Sequence, residues 1–282
     1  MCRLPGNPPA RQFPNGARPS RPVLAGRGVR AARLPTMMKV GRAAIVHPGG
    51  GDLGGPSGGR GRGMPAREGF QVQLDRMEQG IVGLAVQVEG VIAAAVAALA
   101  SLDAAAGREI AAGDRAIDDR EAELERDCLR LLARQQPVAG DLRAIGAALR
   151  ILIDLERIAD HATDIARTAV RLEGQVLLKP LVDIPRMAEL AQDMVARAVD
   201  AYVRRDEAAA RALVAVDDEV DHLFSRVFGD LIGLMGERPE AVHQGTHLLF
   251  AASHLERIAD HATNLAEAVI YAVTGQRPEL ND

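Results

Sequence analysis

Leu155-Glu156-Arg157-Ile158-Ala159-Asp160-His161-Ala162-Thr163 recurs residue for residue as Leu255-Glu256-Arg257-Ile258-Ala259-Asp260-His261-Ala262-Thr263, one hundred positions later. Nine identities in register mark an internal duplication. Apolar residues three and four apart make the repeated unit a helix. A weaker correspondence, offset by 103, relates Asp114-x-x-Ile117-Asp118 to Asp217-x-x-Val220-Asp221. The three-residue difference falls near a Pro turn, where insertions are tolerated.

Working outward, only five Pro follow Gln71 (Pro137, Pro180, Pro185, Pro239 and Pro278). The Ala-, Leu-, Arg- and Glu-rich segments between them keep helical periodicity. The pattern predicts helices over about 72–105, 108–135, 139–174, 183–204, 207–236 and 240–274. Pro137 and Pro239 fall in tight turns, and Gly174 with Lys179 to Pro185 reads as a linker. The fold class is therefore all-α, with two tandem three-helix bundles related by the repeat, residues 71–176 and 183–275.

Residues 1–70 are different material. They carry 12 Lys+Arg against 2 Asp+Glu and hold 15 of the 28 Gly and 10 of the 15 Pro. With no apolar periodicity to offset ordering entropy, the segment is expected to be a disordered basic extension. A start at Met37, Met38 or Met64 is the preferred explanation, ahead of a basic arm or a targeting peptide. The remainder carries 22 Lys+Arg against 36 Asp+Glu, a net of −14.

Composition excludes several functions. Five Phe, two Tyr and no Trp are too few for base-stacking platforms or aromatic cages. Cys2 and Cys128 form no CxxC, so thiolate zinc sites and disulfide scaffolds are out. The Ala-rich uncharged run Gly90 to Leu102 has only 13 residues, from which no membrane span is expected. No P-loop, dinucleotide turn or Ser-His-Asp arrangement can be assembled.

The carboxylates are the candidate chemistry. Each half has D-x-x-x-D on its middle helix (Asp114 and Asp118; Asp217 and Asp221) and E-x-x-x-D on its last (Glu156 and Asp160; Glu256 and Asp260). Spacing of four puts both acids on one face, where like charges repel unless something neutralises them. The first pair centres near residue 116 and its partner near 158, each 21 residues from Pro137. In an antiparallel hairpin, that places both about 32 Å up from the turn. The second-half centres straddle Pro239 in the same way. Four carboxylates should therefore face one another in each half, flanking the stripe Leu155, Ile158, Ala159, Ala162, Ile165, Ala166 and Ala169. Such oxygen clusters suit hard cations such as Fe³⁺, Mn²⁺, Mg²⁺ or Ca²⁺.

Other groups are weaker candidates. His161 and His261 lie five residues after the Glu, not the three of Glu-x-x-His di-iron sites, which argues against a ferritin-like oxidase. A phosphotransfer histidine would leave the duplicated acids unexplained. His243, His247 and His254 approach one helix face and read as ordinary, partly exposed histidines, though His243 and His247 have ligand spacing. Glu121 has Phe224 at its equivalent position, against a ligand role needed in both halves. Cys128, matched with Phe228, reads as a core thiol.

The duplicated ERIADHAT, the turn Arg134-Gln135-Gln136-Pro137-Val138-Ala139-Gly140-Asp141-Leu142-Arg143 and the two D-x-x-x-D segments resemble the PhoU family of phosphate-signalling proteins. The resemblance covers residues 71 to about 275; Ala159 and Ala259 stand where the family usually has Gly, and residues 1–70 have no counterpart. It implies two three-helix bundles binding metal ions or multinuclear clusters (Fe, Mn, Mg or Zn) on those eight acids. It further implies a non-enzymatic negative regulator of the phosphate-starvation response. Such a protein acts with the ATPase subunit of the phosphate ABC transporter and a sensor histidine kinase, in the cytoplasm or at the inner membrane face, without direct nucleic-acid binding; a homodimer is compatible with it. A metal-dependent oxidase and an inert helical scaffold are the alternatives.

Overall fold

The computed structural model describes residues 66–280, so the expectations for residues 1–65 lie outside the described residues. Among the described residues, seven α-helices and one 3₁₀ turn follow in order. They are α1 (Ala66–Ser101), α2 (Ala104–Gln135), α3 (Ala139–Arg171), α4 (Asp183–Arg204), α5 (Glu207–Arg211), α6 (Val214–Glu237) and α7 (Val242–Thr274), with the 3₁₀ turn Pro239–Ala241 before α7. No strand occurs among the described residues.

Where the boundaries differ from the periodicity, local chemistry decides. The first helix starts at Ala66, before the expected 72, and ends at Ser101, before the expected 105. Leu102 turns left-handed at φ +51°. Asp103 then caps α2, its Oδ1 accepting from the N–H groups of Ala105 and Ala106 at 3.0 Å. The expected helix over 207–236 is broken at Ala212 and Leu213, with neither Pro nor Gly to announce it. There the Leu213 N–H bonds the Ala210 carbonyl at 3.1 Å, and both residues are fully buried. The third helix stops at Arg171, and Gly174 takes φ +76° just beyond it.

α1, α2 and α3 pack on one another, as do α4, α6 and α7 with α5 against α4 and α7. The repeats meet through α3 against α7 and α1 against α4, giving one continuous apolar core. Every residue of the expected stripe from Leu155 to Ala169 is buried. Tyr202 on α4 donates its hydroxyl to the Ala144 carbonyl on α3 at 3.0 Å. Arg205 pairs with Glu78 of α1 at 2.6 Å, a second polar tie between the halves. Gly107 lets α2 approach α3, because a Cβ there would stand 2.6 Å from the Ala166 carbonyl oxygen.

By length and composition alone, Glu68–Ser101 holds an 18-residue window apolar enough to cross a membrane, which the 13-residue uncharged run did not suggest. In the fold, Leu74, Ile81, Leu84, Val88, Ile92 and Leu99 spend that hydropathy on the core. Cys128 is fully buried, and burial followed by Asp127 pushes its thiol up to about 12. Its proposed counterpart Phe228 is 46% exposed. The offset of 103 that relates α2 to α6 matches Cys128 instead with Leu231, which is buried.

Candidate functional site

Both carboxylate pairs of the first repeat meet across α2 and α3. The Thr163 hydroxyl on α3 donates to Asp114 Oδ1 on α2 at 2.9 Å, which fixes the register of the two helices. Burial raises the Asp160 carboxyl above its ordinary range, followed by Asp114, with Asp118 adding to it. Glu156 is raised by burial, then by Asp160, with smaller contributions from Asp118 and Asp114. Carboxyls that raise one another share one patch. Arg157 on the same helix is 3.4 Å from Glu156 and 3.4 Å from Asp160, and its charge opposes both shifts.

The second repeat repeats the arrangement between α6 and α7. Burial, Asp221 and Asp260 push the Asp217 carboxyl up to about 6, with Asp218 adding and Thr263 opposing. Glu256 is raised by burial, then Asp260 and Asp221; Asp260 is raised by burial, then Asp221. Asp217 Oδ1 is buried and accepts no hydrogen bond. A buried, partnerless carboxylate oxygen among mutually repelling acids is costly. Arg257 opposes the shifts of Glu256 and Asp260, as Arg157 does in the first repeat, and the fit to a hard cation rests on the all-oxygen donor set.

These mutual shifts gather the eight sequence-derived acids into two patches, four to each repeat. Glu121, set aside in the sequence for lacking a repeat partner, joins the first patch. Its carboxyl is raised by burial and then by Glu125, Glu156 and Asp118. The available signal was its position seven residues beyond Asp114, on the same face of α2. Its counterpart Phe224 instead packs on Phe228, ring centroids 6.3 Å apart. A groove of about 520 Å³ between α1 and α2, lined by Gln87, Gly90, Ala94 and Gly113, opens onto Asp114 and Thr163.

The histidines do not all behave as surface groups. His243 and His247 pack edge to face, centroids 4.8 Å apart, on α7. His254, eleven residues after His243 and so on the same face of α7, reaches His161 across the repeat boundary. Burial, then His254, His261 and Arg257, push the His161 imidazole down to about 4.

The PhoU domain family model matches this chain twice, over residues 81–169 and 184–269. The chain is 37% identical over 214 residues to a phosphate-specific transport system accessory protein PhoU homolog of Clostridium acetobutylicum, covering 76% of this chain and 98% of that one. A homolog of the same name from Caulobacter vibrioides is 38% identical over 199 residues, 68% of this chain and 86% of the other. Among solved structures, PhoU from Pseudomonas aeruginosa superposes with TM-score 0.69 at 34% identity, covering 73% of this chain and 100% of the other. The phosphate transport system regulatory protein PhoU from Streptococcus pneumoniae does so with TM-score 0.70 at 30% identity, covering 74% and 99%. With two matched domains, one on each repeat of the all-α fold, this chain belongs to the PhoU family.

Proposed function

We propose that this protein is a PhoU-type regulator of phosphate transport, not an enzyme, and that it represses the phosphate-starvation response through contacts with the transporter ATPase and a sensor kinase. The observation that carries the reading is the twice-repeated patch of acids on a PhoU fold. Asp114, Asp118, Glu156 and Asp160 would hold cations in the first groove, and Asp217, Asp221, Glu256 and Asp260 in the second. Cations held there would neutralise the mutual repulsion of the acids, so that Asp114 and Asp118 on α2 stay close to Glu156 and Asp160 on α3, and Asp217 and Asp221 on α6 to Glu256 and Asp260 on α7. Those helices then present rigid flanks to helical partners.

Charge argues against direct action on promoters. Residues 71–282 carry a net charge of −14, which repels nucleic-acid phosphates. Deleting the gene should switch on phosphate-starvation genes in phosphate-rich medium, and deleting the sensor kinase as well should reverse the effect. Unchanged expression in the single deletion would sink the regulatory reading. Binding of the purified protein to starvation promoters at physiological salt would sink the route through protein contacts.

A further inference from the structure

Between the repeats, α3 and α7 bring His161, Asp164 and His254 together, so that one ligand-type atom of each lies within 4.8 Å of the others. Nδ1 of His161 and Nδ1 of His254 are 3.2 Å apart. Two imidazole nitrogens that close share either one proton or one cation. Metal–nitrogen bonds of about 2.0–2.1 Å in a tetrahedral array set the ligand nitrogens about 3.3 Å apart. Asp164 supplies the anion. Its Oδ1 is taken by Arg167 at 2.8 Å, while Oδ2 faces His254 Nε2 at 3.9 Å.

The duplication provides an internal control. One hundred positions on, His161 becomes His261 and Asp164 becomes Asn264, and His254 itself stands where the first repeat has Asp154. At that equivalent place, His261 Nδ1 is 2.9 Å from Asp154 Oδ1, and Asn264 Nδ2 is 3.4 Å from the same oxygen. An imidazole N–H and an amide N–H donating to one carboxylate form a closed set. At the first place a histidine stands for the carboxylate and a carboxylate for the amide. The closed donor–acceptor set becomes two imidazole rings and a carboxylate, one ligand-type atom of each within 4.8 Å of the others.

We propose that His161, Asp164 and His254 form a transition-ion site at the junction of the repeats, separate from the carboxylate grooves and suited to Zn²⁺ or a similar divalent ion. Two nitrogens and one oxygen favour such an ion over Mg²⁺ or Ca²⁺, and leave a fourth position for water. The ion would clamp α3 to α7, so its occupancy would set how firmly the two repeats are joined.

The test uses the full chain, stripped with chelator, in excess Mg²⁺ to occupy the oxygen-only grooves. Zn²⁺ alone is the probe. Wild type should take up one equivalent of Zn²⁺ in equilibrium dialysis that His161→Gln and His254→Gln each lose, whereas Glu156→Gln and Glu256→Gln keep it. Imidazole ¹⁵N spectra of the unmutated protein should show the ring nitrogens of His161 and His254 moving with Zn²⁺ and those of His261 staying. Equal uptake by wild type and both histidine variants, no uptake at all, or unmoved ring signals of His161 and His254 would overturn the proposal. The regulatory role is read by starvation-gene expression and is decided separately.

Discussion

The two repeats share nine consecutive residues yet hold their acids differently. In the first, Asp114 is engaged on both oxygens: Thr163 donates to Oδ1 at 2.9 Å, and Arg167 stands 3.7 Å from Oδ2. In the second, Glu267 occupies the place of Arg167, and its carboxylate turns away to accept the Leu280 N–H at 2.8 Å. Asp217 is left with a buried, partnerless oxygen and a carboxyl pushed up to about 6 by burial and by Asp221 and Asp260. The shared motif decides which oxygens face the groove, and residues outside it decide the cost of ionising them.

That contrast can be broken most directly by removing ligands. Glu256→Gln with Asp260→Asn should abolish bound metal in the second repeat only, and Glu156→Gln with Asp160→Asn in the first only. Metal content by mass spectrometry equal to wild type would refute the assignment of the grooves. Between single changes, Asp217→Asn should weaken cation binding more than Asp114→Asn, because a cation need not displace Thr163 or Arg167 to reach Asp217 Oδ1.

A charge exchange should narrow the gap between the repeats. Glu267→Arg places a cation beside the second groove, as Arg167 does in the first, and should weaken cation binding there about two- to fivefold, the effect of roughly half to one kcal/mol. Calorimetric titration of both proteins measures it, and unchanged affinity would show that position 267 does not set the difference.

Without metal, Asp217 makes stability depend on pH. The folded carboxyl keeps its proton to about pH 6, whereas the unfolded one has the ordinary value of 3.8. The folded state binds more protons between these values, so stability falls as pH rises through that window. Asp217→Asn should therefore raise the melting temperature of the metal-free protein at pH 7 by about 2–4 °C, allowing for partial solvent screening. The gain should vanish near pH 3.5. Equal gains at both pH values would assign the effect to packing, not to charge.

The smallest effect is expected at Arg108, which pairs with Glu173 at 3.0 Å but with both side chains more than half exposed. Arg108→Ala should shift the midpoint of a denaturant titration only marginally, because an exposed pair is screened by solvent. A larger loss would show that this link between α2 and the end of α3 supports the first groove.

The fold class and the eight acids were legible in the sequence because both follow from periodicity. A stripe of Leu, Ile and Ala three and four apart dictates which face is buried, and equal distances from Pro137 dictate which acids stand level. Other features gave no periodic signal. The break at Ala212 and Leu213 lacks Pro and Gly, and Glu121 has no repeated partner to mark it. Cys128 was matched at the wrong offset, since α2 and α6 are related by 103 positions and not 100.

By itself, then, the sequence determined the helices, the duplication and the pairing of carboxylates within each repeat, all set by spacings of three, four and one turn-length along one chain. Only the tertiary structure decided what crosses between the repeats. That His254 meets His161, that Asp154 meets His261, and that Tyr202 bonds Ala144 depend on how α3 lies on α7 and α4 on the first repeat. Such contacts join residues 58 to 107 positions apart. They are fixed by the packing of two apolar faces, whose relative rotation no local pattern encodes.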